Sequence, residues 1–312
     1  MGPNPISTFN VSRILISICA VAYGDRMEVI MAQILLSAFA DEYSHDPRLQ
    51  VEVLKKHGFG YLEPRFINGK NIADLTEDEA QQLRALLDEG GISVYSIGSP
   101  LGKISVDDDM SEHLERAERC FRNARILGAT RVRMFSFYLS EGKSREECRD
   151  EVLRRVGALL DLADKYGLIL CHENEAKIYG EDPKHCLDLL SHFGGRLRCV
   201  FDMGNFVLDG CEPYPYGYEL LCDYIDYFHI KDSLAEGAIV PAGLGQAHIK
   251  EILAAHKALG KDFVITLEPH LETFAGLNSL TGSTFVNPYK FENERVAFDE
   301  AAARTLEIVA SI

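Results

Sequence analysis

Apolar residues follow two rhythms along this chain from residue 33 onward. Short runs rich in β-branched and aromatic residues stand at 34–39 (ILLSAF), 60–66 (GYLEPRF), 92–98 (ISVYSIG) and 131–137 (RVRMFSF). Four more follow at 168–173 (LILCHE), 198–204 (RCVFDMG), 226–231 (DYFHIK) and 263–269 (FVITLEP). Each has the length and composition of a buried strand. Between them apolar residues recur every three or four positions, the period of a helix with one face inward. Those stretches are 47–57, 75–91, 111–127, 144–166, 183–192, 246–259 and 292–310. The stretch 213–225, with two prolines ahead of YELLCDYI, completes the set with the weakest period. Boundary signals agree: Pro47 after Asp46 opens one helix, and Thr76 opens another as a capping box that ends at Gly90-Gly91.

Eight strands alternating with eight helices predict an α/β fold, a single (β/α)8 TIM barrel over residues 33–312. The rival is an open doubly wound sheet, which usually begins with a glycine-rich nucleotide turn. The first turn here, SAFADEYSHD, holds no glycine. Residues 1–32 read as an N-terminal extension, either disordered or from an upstream start codon. Its run ILISICAVA (14–22) resembles a short signal segment but has only Arg13 ahead of it.

Composition narrows the partners. With a net charge of −16 and pI near 5.1 over 312 residues, the chain opposes extended contact with nucleic-acid phosphates. It suits a small-molecule substrate. The eight cysteines form no CxxC pair, which points to reduced thiols and a cytoplasmic setting. No apolar run approaches the roughly 18 residues of a membrane span.

In a barrel of this kind the chemistry gathers at the C-terminal ends of the strands. Those ends offer Glu173, Asp202, His229 and Glu268, in steps of 29, 27 and 39 residues, each about one βα repeat. A single strand-end acid is more often a helix cap or an ion-pair partner, and a lone histidine is often a satisfied core residue. Four in consecutive repeats are harder to explain separately. Three carboxylates and an imidazole in one mouth repel each other unless a cation lies between them. Oxygen-dominated ligation with one nitrogen suits Mn²⁺, Mg²⁺ or Co²⁺, with Zn²⁺ also compatible.

The motifs CHENE, FDMGNF, FHIKD and LEPH resemble those of the sugar phosphate isomerase/epimerase family, the xylose-isomerase-like barrels. SAFADE, YLEPR, IGSPLGK and RVRMFSFY extend the likeness into the first half, toward a bacterial branch of that family. The resemblance implies that Glu173, Asp202, His229 and Glu268 ligate one divalent ion. It also implies that Glu173 and Glu268 face the substrate from opposite sides and move protons at carbon, through a metal-stabilised enediolate. Two departures separate the chain from the ketose 3-epimerases. Asn205 stands where those carry a histidine, and Ala235 where they carry an arginine.

Further candidates surround this set. Lys231 shares the His229 side by strand alternation. Glu63, Arg65, Arg133 and Asn205 are further candidates for reaching substrate, while His172 and His270 adjoin proposed ligands and are expected to orient them. The glycines of VPAGLGQ (240–246) suit a loop over the mouth. The expected function is a divalent-metal-dependent isomerase or epimerase of a small keto-sugar, polyol or sugar phosphate, with a dehydratase of the inosose-dehydratase type as the alternative. An endonuclease-IV-like role is disfavoured, because His45, His57 and His113 fall in or near helices and the net charge has the wrong sign. A non-catalytic sugar-binding barrel is disfavoured by the intact ligand set. By the same resemblance the chain is expected to form homo-oligomers.

Overall fold

The computed structural model describes residues 32–271 and 288–312. The readings of the N-terminal extension, including the run at 14–22, lie outside the described residues. The barrel strands are β1 (Ile34–Ala38), β2 (Tyr61–Leu62), β3 in two pieces (Ser93–Val94 and Ser96–Ile97) and β4 (Arg131–Met134). They continue as β5 (Ile169–Glu173), β6 (Leu197–Asp202), β7 (Ile225–Ile230) and β8 (Phe263–Leu267). Every neighbouring pair is parallel. Strand β1 pairs with both β2 and β8, and the order then runs through β7, β6, β5 and β4. One piece of β3 pairs with β2 and the other with β4, so only Tyr95 separates the two ends of the sheet. The result is a nearly closed barrel. Strand β2 is short because Pro64 follows Glu63 and has no N–H to extend the ladder.

The main helices are α1 (Pro47–His57), α2 (Glu77–Gly90), α3 (Met110–Leu127), α4 (Arg145–Lys165) and α5 (Pro183–Phe193). They continue as α6 (Met203–Leu208), α7 (Ile249–Lys257) and α8 (Glu294–Ala310). Local chemistry sets their ends. The Asp46 carboxylate accepts from the Arg48 N–H at the start of α1, and both Thr76 and Ser144 close full capping boxes. Helices α1, α2, α3 and α5 stop at left-handed glycines, Gly58, Gly91, Gly128 and Gly194. The helix expected over 213–225 is broken instead. Pro213 and Pro215 deprive its first turn of donors, and the chain makes three short turns over Pro213–Gly217, Tyr218–Leu221 and Cys222–Tyr224.

Apolar side chains fill two spaces. The larger core lies between strands and helices, with Leu54, Phe121, Val156, Leu189 and Ile252 among its fully buried members. A smaller cluster of Cys171, Val200, Tyr227 and Val264 fills the barrel itself. A register shift in β7 between Ile225 and Tyr227 accompanies a polar floor below it. There the Asp226 carboxylate accepts from Tyr95 Oη (2.8 Å) and Arg131 Nε (2.7 Å). The strands therefore enclose a plugged interior, with the C-terminal ends on the side away from this floor. Among the described residues, no helix is long and apolar enough to cross a membrane.

Candidate metal centre

Four strand ends build the centre. Glu173 closes β5, Asp202 closes β6, His229 is the penultimate residue of β7, and Glu268 follows β8 directly. Parallel register sets His229 beside both Asp202 and Thr266. Strand alternation turns Cys171 and Glu173 inward together, as it does Tyr227 and His229. One ligand atom from each of Glu173, Asp202, His229 and Glu268 lies within 4.8 Å of all the others, and all four residues are buried.

The electrostatics follow from that crowding. Burial opposes the charge on Glu173, but His229 and Arg133 outweigh it and hold its pKa at about 2. Burial pushes Asp202 the other way, up to about 7, against the pull of Lys231. Burial also opposes ionisation of Glu268, yet Lys231, His270 and His229 keep it well below the usual carboxylate range. His229 is raised well above an ordinary imidazole, because Glu173 and Glu63 overcome the cost of its burial. Positive groups gather accordingly. Arg133 Nη1 lies 3.1 Å from Glu173 Oε2, and Lys231 Nζ lies 2.8 Å from Asp202 Oδ2.

A divalent ion fits this set. Glu173 Oε2 and Asp202 Oδ2 are fully buried and accept no hydrogen bond of proper geometry, although each has a cation nearby. Buried carboxylate oxygens in that condition are stabilised by coordination. The two imidazole nitrogens of His229 divide the space around it. Nδ1 faces Glu173 Oε1 (2.9 Å) and Glu268 Oε2 (3.3 Å), whereas Nε2 faces Glu63 Oε2 (3.3 Å). Nδ1 is thus the nitrogen turned to the ligand cluster.

The other expected residues divide into those the fold brings to the centre and those it does not. Lys231 and Arg133 reach it, as above. Arg65 is buried beneath the mouth, with Nε on Asp41 (2.9 Å), Nη2 on Glu42 (3.1 Å) and Nη1 on Glu268 (2.8 Å). Glu63 has no exposed surface. It accepts from Tyr227 Oη (2.8 Å) and Thr266 Oγ1 (2.8 Å), so it sits behind His229 rather than in the mouth. Asn205 lies in the first turn of α6, where its N–H donates to Asp202 Oδ1 (2.8 Å) and its side-chain amide donates to the Asn174 carbonyl (2.9 Å). His270 lies 3.5 Å from Glu268 and 3.4 Å from Glu42. His172 points to the opposite side of β5 from Glu173. Its Nε2 meets Ser136 Oγ (2.9 Å), and burial lowers its pKa to about 4.

Sequence reasoning missed five contributors. Asp41 and Glu42 come from the short turn after β1 and hold Arg65 and His270. Asn174 exchanges two hydrogen bonds with the Asp202 backbone and fixes the end of β6. Lys103 and Glu175 form an ion pair of 2.8 Å at the rim. Tyr227 was missed as well, although its place two residues before His229 on the same strand face is a signal that could have found it.

The comparisons with known proteins agree with this architecture. The sequence matches no curated protein. Solved structures share the fold at low identity. A D-psicose 3-epimerase from Clostridium cellulolyticum H10, determined with D-tagatose, superposes with a TM-score of 0.67 at 14% identity, covering 88% of this chain and 98% of that one. A probable 3-DHS dehydratase, AsbF, from Bacillus anthracis gives 0.67 at 17%, covering 87% and 98%. A xylose isomerase-like TIM barrel protein from Mycobacterium smegmatis, in complex with magnesium, gives 0.61 at 19%, covering 89% and 96%. The family model described as xylose isomerase-like TIM barrel matches residues 51–285. With that match spanning most of the chain, this protein belongs to the xylose isomerase-like TIM barrel family.

Proposed function

We propose that this protein is a divalent-metal-dependent isomerase or epimerase acting on a small polyhydroxy carbonyl compound. The observation that carries the reading is the meeting of Glu173, Asp202, His229 and Glu268 within 4.8 Å at the C-terminal ends of four successive strands. A divalent ion held by these residues supplies Lewis acidity toward substrate carbonyl and hydroxyl oxygens.

The chain's own groups perform the rest. Glu173 and Glu268 enter the mouth from different strands, so a substrate between them presents its two faces to two carboxylates. One accepts the proton from the carbon beside the carbonyl, and the other returns a proton to that carbon or its neighbour. Arg133, 3.1 Å from Glu173 and 3.6 Å from Glu268, helps hold Glu173 in the ionised form that a proton acceptor needs, while the carboxylate that returns a proton must enter the step protonated. Lys231 and Arg65 hold Glu268 from two further directions, at 3.4 Å and 2.8 Å. Burial of all these groups excludes water from the proton path.

The test is solvent deuterium incorporation. Metal-loaded protein is incubated in deuterated buffer with a panel of ketoses, and carbon-bound deuterium is read by NMR. The reading predicts incorporation without loss of water, and a fall of about 1000-fold in Glu173→Gln, the scale of losing a positioned base. An enone product would move the assignment to a dehydratase. Undiminished exchange in Glu173→Gln would reject the proposed role.

A further inference from the structure

We infer that Arg133 is a catalytic residue of this centre, whose guanidinium donates to the oxygen on the reacting carbon while negative charge builds there. The inference rests on the proposed function and deepens it, adding a contact with substrate to the hold that Arg133 has on Glu173.

Strand β4 carries two arginines on one face. Arg131 serves the floor, where the Asp226 carboxylate accepts from it. Arg133 lies two residues closer to the C-terminal rim, pairs in register with Cys171 and reaches the ligand cluster. It is only 2% exposed. Its Cζ lies over the rings of Phe39 (4.9 Å) and Phe135 (5.0 Å). Aromatic faces therefore fix the guanidinium plane, and the N–H groups point outward along that plane.

The protein uses very little of this donor capacity. A guanidinium has five N–H donors in a fixed fork. Arg65, equally buried, commits all three nitrogens: Nε to Asp41 (2.9 Å), Nη1 to Glu268 (2.8 Å) and Nη2 to Glu42 (3.1 Å). Among the described residues Arg133 makes one hydrogen bond, a long one of 3.5 Å from Nη2 to the Ser99 carbonyl. Its Nη1 meets Glu173 and Glu268 as an ion-pair partner, and its Nε is a buried donor with no acceptor. Buried donors are ordinarily paired, and one left open at a reaction centre calls for an acceptor that arrives with the substrate. Nε and Nη2 form the side-on fork of the guanidinium. That side suits two neighbouring oxygens, such as a carbonyl and the hydroxyl on the carbon beside it.

The position fits the chemistry. Nη1 lies between the two carboxylates proposed to face the substrate, so an oxygen held between them is within reach of the same guanidinium. When Glu173 takes the proton from the carbon beside the carbonyl, the C–H pair becomes a carbon–carbon double bond. The carbonyl π pair moves onto oxygen, and Arg133 donates to that oxygen while keeping its own proton. The second carboxylate, entering as the acid, returns a proton to carbon, and the electron pair flows back to restore a carbonyl. A donor that finds its acceptor as charge develops lowers the barrier without tightening ground-state binding.

The experiment compares full-length, metal-loaded wild type with Arg133→Met and Arg133→Lys in the deuterium exchange assay, across pH and with bound metal quantified for each. The substrate is the ketose of the panel that exchanges fastest with wild type. In Arg133→Met kcat is expected to fall about 100-fold or more with KM changed by less than about 3-fold, the pattern of a contact made in the transition state. The loss is expected to persist at high pH, where a carboxylate ionises without help from Arg133. Arg133→Lys keeps a charge beside Glu173 but loses the fork, and is expected to stay at least about 10-fold below wild type. Recovery of wild-type kcat by Arg133→Met at high pH, or by Arg133→Lys at any pH, assigns Arg133 to holding Glu173 alone and overturns the inference. A loss of exchange that follows a loss of bound metal overturns it too, and both results leave the proposed function standing. Absence of exchange in metal-replete wild type overturns the proposed function and the inference with it.

Discussion

Glu63 and His229 show how far a single contact reaches into the centre. With Nε2 directed at the buried Glu63 carboxylate and Nδ1 at the ligand cluster, the ring is held in the orientation and tautomer that leave Nδ1 free to coordinate. Tyr227 and Thr266 donate to that carboxylate, so its own position is fixed. Glu63→Gln keeps the shape and removes the charge, and its amide can present a donor to a nitrogen that must itself donate. The expected outcome is a 10- to 100-fold loss of divalent-metal affinity, on the usual scale of such outer partners, measured by competition against a chromophoric chelator with the circular dichroism spectrum unchanged. An affinity equal to wild type would show that Glu63 does not set the ring. The same residue marks a limit of the sequence. YLEPR places Glu63 at a strand end, but only the register of β7 and β8 reveals that it lies behind a histidine 166 positions away. His172 was more legible than it first looked. It neighbours Glu173 in sequence, and alternation alone puts it on the other side of the strand.

Among the elements, the strands and most helices were legible from period and caps, whereas the β6–β7 crossover was not. Its prolines and tyrosines carry no helical period because the segment makes three short turns instead of one helix. The loop after β7 escaped for a different reason. Expected over the mouth, it packs against α8 beside Ile308 instead. Glycines in PAGLGQ permit its path, but Asp232 determines it, and that partnership is a matter of backbone donors that composition does not display. Asp232→Ala removes four acceptor contacts from buried or half-buried N–H groups, those of Ser233, Gly243, Gly245 and Ala247. The variant should lose about 2–4 kcal/mol of stability, with hydrogen exchange at Gly243, Gly245 and Ala247 accelerated well beyond the rest of the chain. Uniform protection across that loop in the variant would contradict that role of Asp232. Gly102 gives a further test at this scale. It has φ +88°, and a Cβ there would stand 1.9 Å from the Phe135 carbonyl oxygen. Gly102→Ala should therefore destabilise the turn after β3 by about 2 kcal/mol or more, read from the urea midpoint.

For the whole molecule, buried neutral histidines tie stability to pH. Burial, helped by Arg116 and Arg155, lowers His113 to about 4, and its Nε2 accepts the Gly102 N–H at 2.9 Å. Burial, helped by Lys261, lowers His256 to about 4 as well. Both sit near 6.5 when unfolded. Between those values the unfolded chain takes up protons that the folded protein refuses, so stability falls as pH drops from about 6.5 toward 4. Each residue should contribute roughly 2 kcal/mol of loss between pH 7 and pH 5. His113→Gln, which retains an acceptor without a titrating ring, should flatten the measured pH dependence of urea unfolding by about that amount. An identical slope in the variant would contradict the assignment.

At the same scale the barrel count was readable because each βα repeat returns the chain to one rim, which is also why Glu173, Asp202, His229 and Glu268 could be picked out together. What the count could not supply was the surrounding charge, since Asp41 and Glu42 reach Arg65 from another repeat. The central claim is that those four side chains share one ion. It is tested most directly by metal stoichiometry and affinity, using elemental analysis and titration of demetallated protein, for wild type beside Asp202→Asn and His229→Asn. The account predicts one divalent ion per chain in the wild type and affinity at least about 100-fold weaker in each variant. One ion bound with unchanged affinity in both variants, or none in the wild type, would contradict it.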